Sequence, residues 1–192
     1  MVKKIIGTAI TRVLNAILML VVLVVATKNL GAEIYGSVTL IILAITIIGI
    51  ISNFIGGGAV VYFVPRSKLF LVYLPAFFWA FFSAIAGSII LSSIGKIPEG
   101  FTFHVMLLGL LQSLTIINQH VMLGKEKVGQ FNLVSLLQVF VLLAVLAYLV
   151  FLAGEERVIT YVKALYAGYG SGFILSMILV YKHLKVTDLL EA

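Results

Sequence analysis

Long apolar runs alternate with short polar, glycine-bearing segments along the whole chain. Six of these runs can be drawn: Ile5–Thr27, Gly36–Val64, Leu69–Ile94, Phe101–Leu123, Phe131–Ala153 and Val158–Tyr181. Each is long enough to cross ~30 Å of hydrocarbon, which takes ~20 helical residues. The connections, KNLGAEIYG, PRSK, GKIPEG, GKEKVGQ and GEER, carry turn and charge signals and are too short to separate two domains. The pattern predicts an all-α membrane protein, a six-transmembrane-helix bundle with residues 1–192 as one transmembrane domain. Lys3 and Lys4 ahead of an apolar run are also how a signal peptide begins. Arg12 and Asn15 interrupt that run and no small-x-small cleavage site follows it cleanly, so it reads as an uncleaved first span.

Within the runs, small residues recur every four positions: Ala76, Ala80, Ala84 and Ser88 in the third, and Ala164, Gly168, Gly172 and Ser176 in the sixth. Such residues share one helix face and let two backbones approach closely. Polar residues recur at helical spacing too. The faces are Thr8, Arg12, Asn15 and Met19; Thr39, Thr46 and Asn53; His104, Gln112, Thr115 and Gln119; and Asn132, Ser135 and Gln138. Polar groups at membrane depth are costly and usually turn toward the bundle interior or a water-filled cavity. A Ser or Thr hydroxyl can instead bond its own helix backbone. The amides carry more hydrogen-bonding positions and serve either as interhelical contacts or as a ligand surface. Asn15, Asn53, Gln112 and Gln119, with Arg12, form the candidate substrate-binding set. Arg12 has two readings: a side chain reaching back to the cytoplasmic surface, or a fixed guanidinium that holds a phosphate at two points. Lys163, near the outer end of the sixth span, reads as an interfacial anchor.

Composition supports the membrane reading. Apolar residues make up 62% of the chain and charged residues 10%, with a mean hydropathy of +1.23, far from the balance of a water-soluble domain. The net charge of +6 comes from basic residues scattered in ones and twos, a topology signal rather than a nucleic-acid footprint. With the N-terminus inside, the cytoplasmic segments hold Lys3, Lys4, Arg66, Lys68, Lys125, Lys127, Lys182 and Lys185, while Lys28, Lys96, Arg157 and Lys163 lie outside. Eight cations against four place both termini in the cytoplasm. There are no cysteines, and none of the seven acidic residues lies within a run. Neither paired carboxylates nor a Ser–His–Asp set is present, and His104, His120 and His183 lack metal-ligand spacing. Catalysis, a metal and a cofactor are not expected. Gly56–Gly58 has no following Lys-Ser/Thr and reads as a break or bend in the second helix, not a phosphate loop.

The stretch RVLNAILMLVVLVVATKNLGAEIYGSVTLIILAITIIGIISNFIGGGAVVYFVPR, from Arg12 to Arg66, resembles the start of the Wzx-like polysaccharide flippases of the MOP exporter superfamily. The matching features are Arg12, the LG-x-E-x-YG turn at Leu30–Gly36, the SNFIGGGAVVY stretch at Ser52–Tyr62 and the Pro65-Arg66 exit. QHVMLGKEKVGQFNLVSLLQ, Gln119–Gln138, is similar to that family's connection between the fourth and fifth spans. The resemblance implies a protein of the bacterial cytoplasmic (inner) membrane that moves an oligosaccharide on a polyprenyl diphosphate carrier between leaflets. It implies two six-helix lobes around a cavity, working by alternating access. This chain corresponds to the first lobe only, and its connection between the second and third spans is short. The implied partners are the anionic lipid-linked glycan, membrane lipids, and a missing second six-helix lobe or a second copy, with no nucleic acid. The competing readings are a cation-coupled multidrug exporter lobe, which would be expected to use an intramembrane carboxylate, a membrane glycosyltransferase or ligase, whose catalytic groups need larger outer loops, and a non-transporting structural membrane subunit.

Overall fold

The computed structural model describes residues 2–155 and 157–181, with side chains from residue 7 onward. Lys182, His183, Lys185 and Asp188, and the side chains of Lys3 and Lys4, lie outside the described residues. The described chain is helical: α1 (Val2–Leu30), α2 (Ala32–Gly56), α3 (Gly58–Phe63), α4 (Leu69–Ser93), α5 (Thr102–Gly124), α6 (Val128–Phe151) and α7 (Val158–Tyr181). Among the described residues six segments are long and apolar enough to cross a membrane, α2 and α3 together forming the second. The chain is a multi-pass helical membrane protein.

Glycine sets two of the boundaries. Gly31, at φ 78°, is the single residue between α1 and α2, in a left-handed conformation that costs glycine little. Gly57 leaves helical geometry with φ −96° and ψ −117°, so the second span breaks where three glycines meet. A Cβ at Gly57 would lie 2.5 Å from the Asn53 carbonyl oxygen. His120 Nδ1 lies 2.8 Å from the Gly56 carbonyl oxygen, which gives that broken helix end a partner within the bundle.

The helices pack in the order α1, α6, α7, α5, with α2 and α4 both against α5 on its far side. α5 is thus the central element and α1 an edge, in contact mainly with α6. The small-residue faces make the closest approaches. Ala76, Ala80, Ala84, Ser88, Ala164, Gly168, Gly172 and Ser176 are all buried. A Cβ at Gly168 would lie 2.8 Å from the Gln138 carbonyl oxygen and 2.9 Å from Leu142 Cβ. Ile48 of α2 inserts between α4 and α5, where Cβ atoms at Gly87 and Gly109 would meet it at 2.9 and 3.1 Å. The outward surface is the reverse of a soluble protein's: Phe54, Phe78, Phe82 and Leu152 are largely exposed, as a lipid-facing surface requires.

The apolar interior forms two layers. One includes Leu108 and Val105 of α5, Leu142 and Leu146 of α6 and Leu165 of α7. The other includes Ile117 and Val121 of α5, Val134 of α6 and Val180 of α7. Gln112 and Gln138 fall between these layers along their helices, near the middle of the bundle.

Candidate functional site

A pocket of about 190 Å³ opens where α1, α5, α6 and α7 meet. Asn15 and Met19 line it from α1, Gln112 and Gln119 from α5, Ser135 and Gln138 from α6, and Tyr169 from α7. Spacing explains the convergence. Gln112 and Gln119 are seven residues apart, two helical turns, and so share a face. Ser135 and Gln138 are three apart on the facing helix. Gln138 Nε2 donates to Gln112 Oε1, and Gln119 Nε2 donates to Ser135 Oγ at 3.0 Å. Ser135 Oγ in turn donates to the Phe131 carbonyl oxygen at 3.1 Å. Gly172 makes room for this arrangement, since a Cβ there would lie 3.2 Å from Gln138 Oε1. Asn15 Oδ1 is buried with no hydrogen-bond partner, an uncommon state for a buried polar atom.

Three of the five candidate binding residues, Asn15, Gln112 and Gln119, therefore share one pocket. Arg12 does not line it. Its side chain is exposed, one turn toward the N-terminus from Asn15, and it makes no hydrogen bond or ion pair among the described residues. Asn53 is half-buried on α2, four residues before the Gly57 break, and also stands apart from the pocket. The other members of its repeat, Thr39 and Thr46, are exposed and donate to the carbonyls of Tyr35 and Ile42 at 2.9 and 2.8 Å, the self-bonding open to any helical threonine. Thr115 does the same to Leu111 at 2.8 Å. His104 Nδ1 lies 3.0 Å from the Tyr166 hydroxyl, away from the pocket.

Two residues outside the sequence-derived set matter as much. Gln138 belongs to the polar face of the fifth span and completes the pocket. Asn118, fully buried, belongs to none of the polar faces drawn from spacing. It lies one position from Gln119, ~100° around the helix, and so faces other neighbours. Its Oδ1 accepts from the Tyr73 hydroxyl and its Nδ2 donates to Ser176 Oγ at 2.8 Å, tying α4, α5 and α7 together. The only sequence signal for it was Ser176 closing the small-residue face of α7.

The polar side chains lining the pocket, carboxamides and hydroxyls, are uncharged at neutral pH. They can donate and accept hydrogen bonds, as sugar hydroxyls require of a binding surface, but hold no carboxylate for proton exchange. Among the described residues no group of three His, Cys, Asp or Glu side chains could hold a metal ion. At the α6–α7 end, Lys163 Nζ pairs with Glu155 Oε1 at 2.8 Å, and Thr160 Oγ1 donates to Glu155 Oε2 at 3.2 Å. The hydrogen bond from Lys163 holds the Glu155 carboxyl below its usual range. No protein-family model, curated protein or solved structure matches the chain.

Proposed function

We propose that the chain is one six-helix lobe of a transporter that carries polyprenyl-diphosphate-linked oligosaccharide across the bacterial cytoplasmic membrane by alternating access. The observation that carries the reading is the pocket formed by Asn15, Gln112, Gln119 and Gln138 midway along the bundle. Interhelical bonding alone would leave each amide satisfied, yet Asn15 Oδ1 is buried and unpartnered. Uncharged amides suit a glycan's hydroxyls. Arg12, one turn away and without a carboxylate partner among the described residues, suits its diphosphate. The resemblance of Arg12–Arg66 to Wzx-like flippases points the same way. A second lobe or second copy completes the cavity on the open side of α1.

The absence of any pocket-lining carboxylate weighs against a proton-coupled drug exporter. A structural subunit draws support from a different observation, the pairing of Gln112 with Gln138 and of Gln119 with Ser135, which would equally fasten helices together.

The deciding experiment replaces Gln112 and Gln138 together by Met at the chromosomal locus. Removing both partners leaves no orphaned amide, so insertion and stability should stay near wild type. Surface glycan per inserted molecule should fall at least about tenfold, the equivalent of one lost hydrogen-bonded contact to a substrate. Arg12→Ala should fall similarly and Arg12→Lys only in part, because an ammonium keeps the charge and loses the two-point contact. Wild-type export per molecule from the double variant would leave the structural-subunit reading standing.

A further inference from the structure

The break in the second span is held from outside its own helix. In an unbroken helix the Gly56 carbonyl would accept from the Val60 N–H, four residues on. Instead Val60 N donates to the Gly57 carbonyl oxygen at 3.0 Å, and Val61 N donates to the same oxygen at 3.4 Å. Gly56 is buried, so its released carbonyl needs another donor. His120 of α5 supplies one: a carbonyl only accepts, so Nδ1 carries the proton across 2.8 Å. The Gly56 oxygen thus has two donors within reach of the fold, one in its own helix and one on α5.

Three features leave the segment free to use either. α2 alone has 25 residues, ~37 Å of helix, more than ~30 Å of hydrocarbon, so crossing the bilayer does not fix the direction of α3. Gly57 is the residue that permits the break. An added Cβ there would lie 2.5 Å from the Asn53 carbonyl oxygen, whereas alanine suits every interior position of a regular helix. The broken form also leaves the seam between α2 and α5 incompletely bonded. These helices run side by side in register, with Ile48 against Gly109 and Gly56 against Ile117. Ser52 and Ser113 fall halfway between those contacts, and both hydroxyls are buried with no hydrogen-bond partner, an uncommon state.

We propose that the second span is a two-state element, broken at Gly57 while His120 holds the Gly56 carbonyl and continuous when the Val60 N–H takes that carbonyl back. One hydrogen bond replaces another, which keeps the two forms close in free energy. Straightening brings α3 into line with α2 and opens the seam between α3 and the end of α5. α3 cannot press closer to α5, because the two already meet at Gly124, where a Cβ would lie 3.0 Å from both the Val61 carbonyl oxygen and Val64 Cβ. His120 is the latch, a positioning residue. The switch draws on no residue of the amide pocket and stands whether or not the lobe transports.

The chain has no cysteine, so spin labels at Leu43→Cys and Phe63→Cys, both exposed, report the bend directly. The two positions are 20 residues apart, ~30 Å in one continuous helix and less across a break. With the full chain in lipid vesicles, double electron–electron resonance should find the shorter separation predominant in the otherwise wild-type protein. His120→Leu removes the latch without altering α2 or α3. It should raise the ratio of the ~30 Å form to the shorter one at least about fivefold, the lower end of what an unmet buried acceptor costs. Gly57→Ala should shift the ratio the same way. His120→Asn, which keeps a side-chain N–H donor close to the position of Nδ1, should stay near wild type. So should Gly58→Ala, which adds a methyl to open space. An unchanged distribution in both His120→Leu and Gly57→Ala overturns the switch, and His120→Leu decides alone if Gly57→Ala fails to insert. An equal shift in Gly58→Ala would reduce the effect to helix propensity. A broad distribution with no ~30 Å peak in the shifted variants would mean that α3 melts. Either result overturns the two-state element, and His120→Asn shifting as far as His120→Leu would overturn the latch.

Discussion

α1 and α5 are both apolar spans with amides in their interiors, yet the bundle treats them in opposite ways. Over its most apolar stretch α5 is 56% buried, whereas α1 is 17% buried. On α5 the amides of Gln112, Asn118 and Gln119 all have side-chain partners on α4, α6 or α7. On α1 Asn15 keeps a buried, unpartnered oxygen and Arg12 an exposed guanidinium without an ion-pair partner among the described residues. The difference teaches how to read a polar residue in a membrane helix. At the centre of a bundle it finds a neighbour and holds helices together. On an edge helix the same chemistry is left open, and an unmet polar group in hydrocarbon is costly enough to imply something that meets it.

The contrast between centre and edge can be tested by stability in detergent. The largest effect is expected at the α6–α7 contact. Gly168→Val must displace the α6 backbone at Gln138 and Leu142 and should destabilise by about 1–3 kcal/mol. Gly170→Val, with nothing within 4 Å of the added Cβ, should stay within ~0.5 kcal/mol of wild type. Equal losses from the two would show that α7 is not packed as described.

Next comes the amide comparison itself. Asn118→Leu removes the link between Tyr73 and Ser176 and should cost ~1–2 kcal/mol. Asn15→Leu gives up no hydrogen bond from Oδ1 and should change stability by less than ~0.5 kcal/mol, while reducing export if α1 borders the substrate path. A larger stability loss from the α1 variant than from the α5 variant would break the comparison.

The smallest effect is expected at the Glu155–Lys163 pair. The Glu155 carboxyl is held below its usual value of 4.5, chiefly by the Lys163 hydrogen bond. A lowered folded-state value means the pair's contribution is complete above pH ~4.5 and fades as pH falls through the lower folded value. Stability measured from pH 6 down to pH 3 should therefore show a shallow acid-side loss that is absent in Glu155→Gln. An identical slope in the two proteins would show that the pair adds nothing, as many exposed pairs do.

Much of this architecture was legible before any coordinates. The six spans are announced by run length, and the observed helices begin and end within a few residues of them. The break in the second span was legible at Gly56–Gly58, and the two small-residue faces proved to be buried helix contacts. The candidate site was legible in part. Asn15, Gln112 and Gln119 meet. Asn53 does not join them, because a seven-residue repeat places a residue on a face without saying what lies opposite. Thr39 and Thr46 illustrate the point: they share that face and bond only their own helix.

What the sequence determined by itself is everything that follows from contact with the bilayer. Hydropathy sets which segments cross, since each residue's transfer free energy is a property of that residue and its depth. Glycine marks where helices break, as at Gly31 and Gly57, because backbone sterics are local. Only the tertiary structure decided that α1 packs chiefly against α6 and only lightly against α2, its neighbour in the chain. It also decided that Gln138 reaches Gln112 and that Asn118 joins α4 to α7. Lipid is as apolar as the helices it surrounds, so hydrophobicity does not choose helix partners. That choice falls to small-residue fit and to polar groups that must find one another, and both are relations between surfaces that no single helix contains.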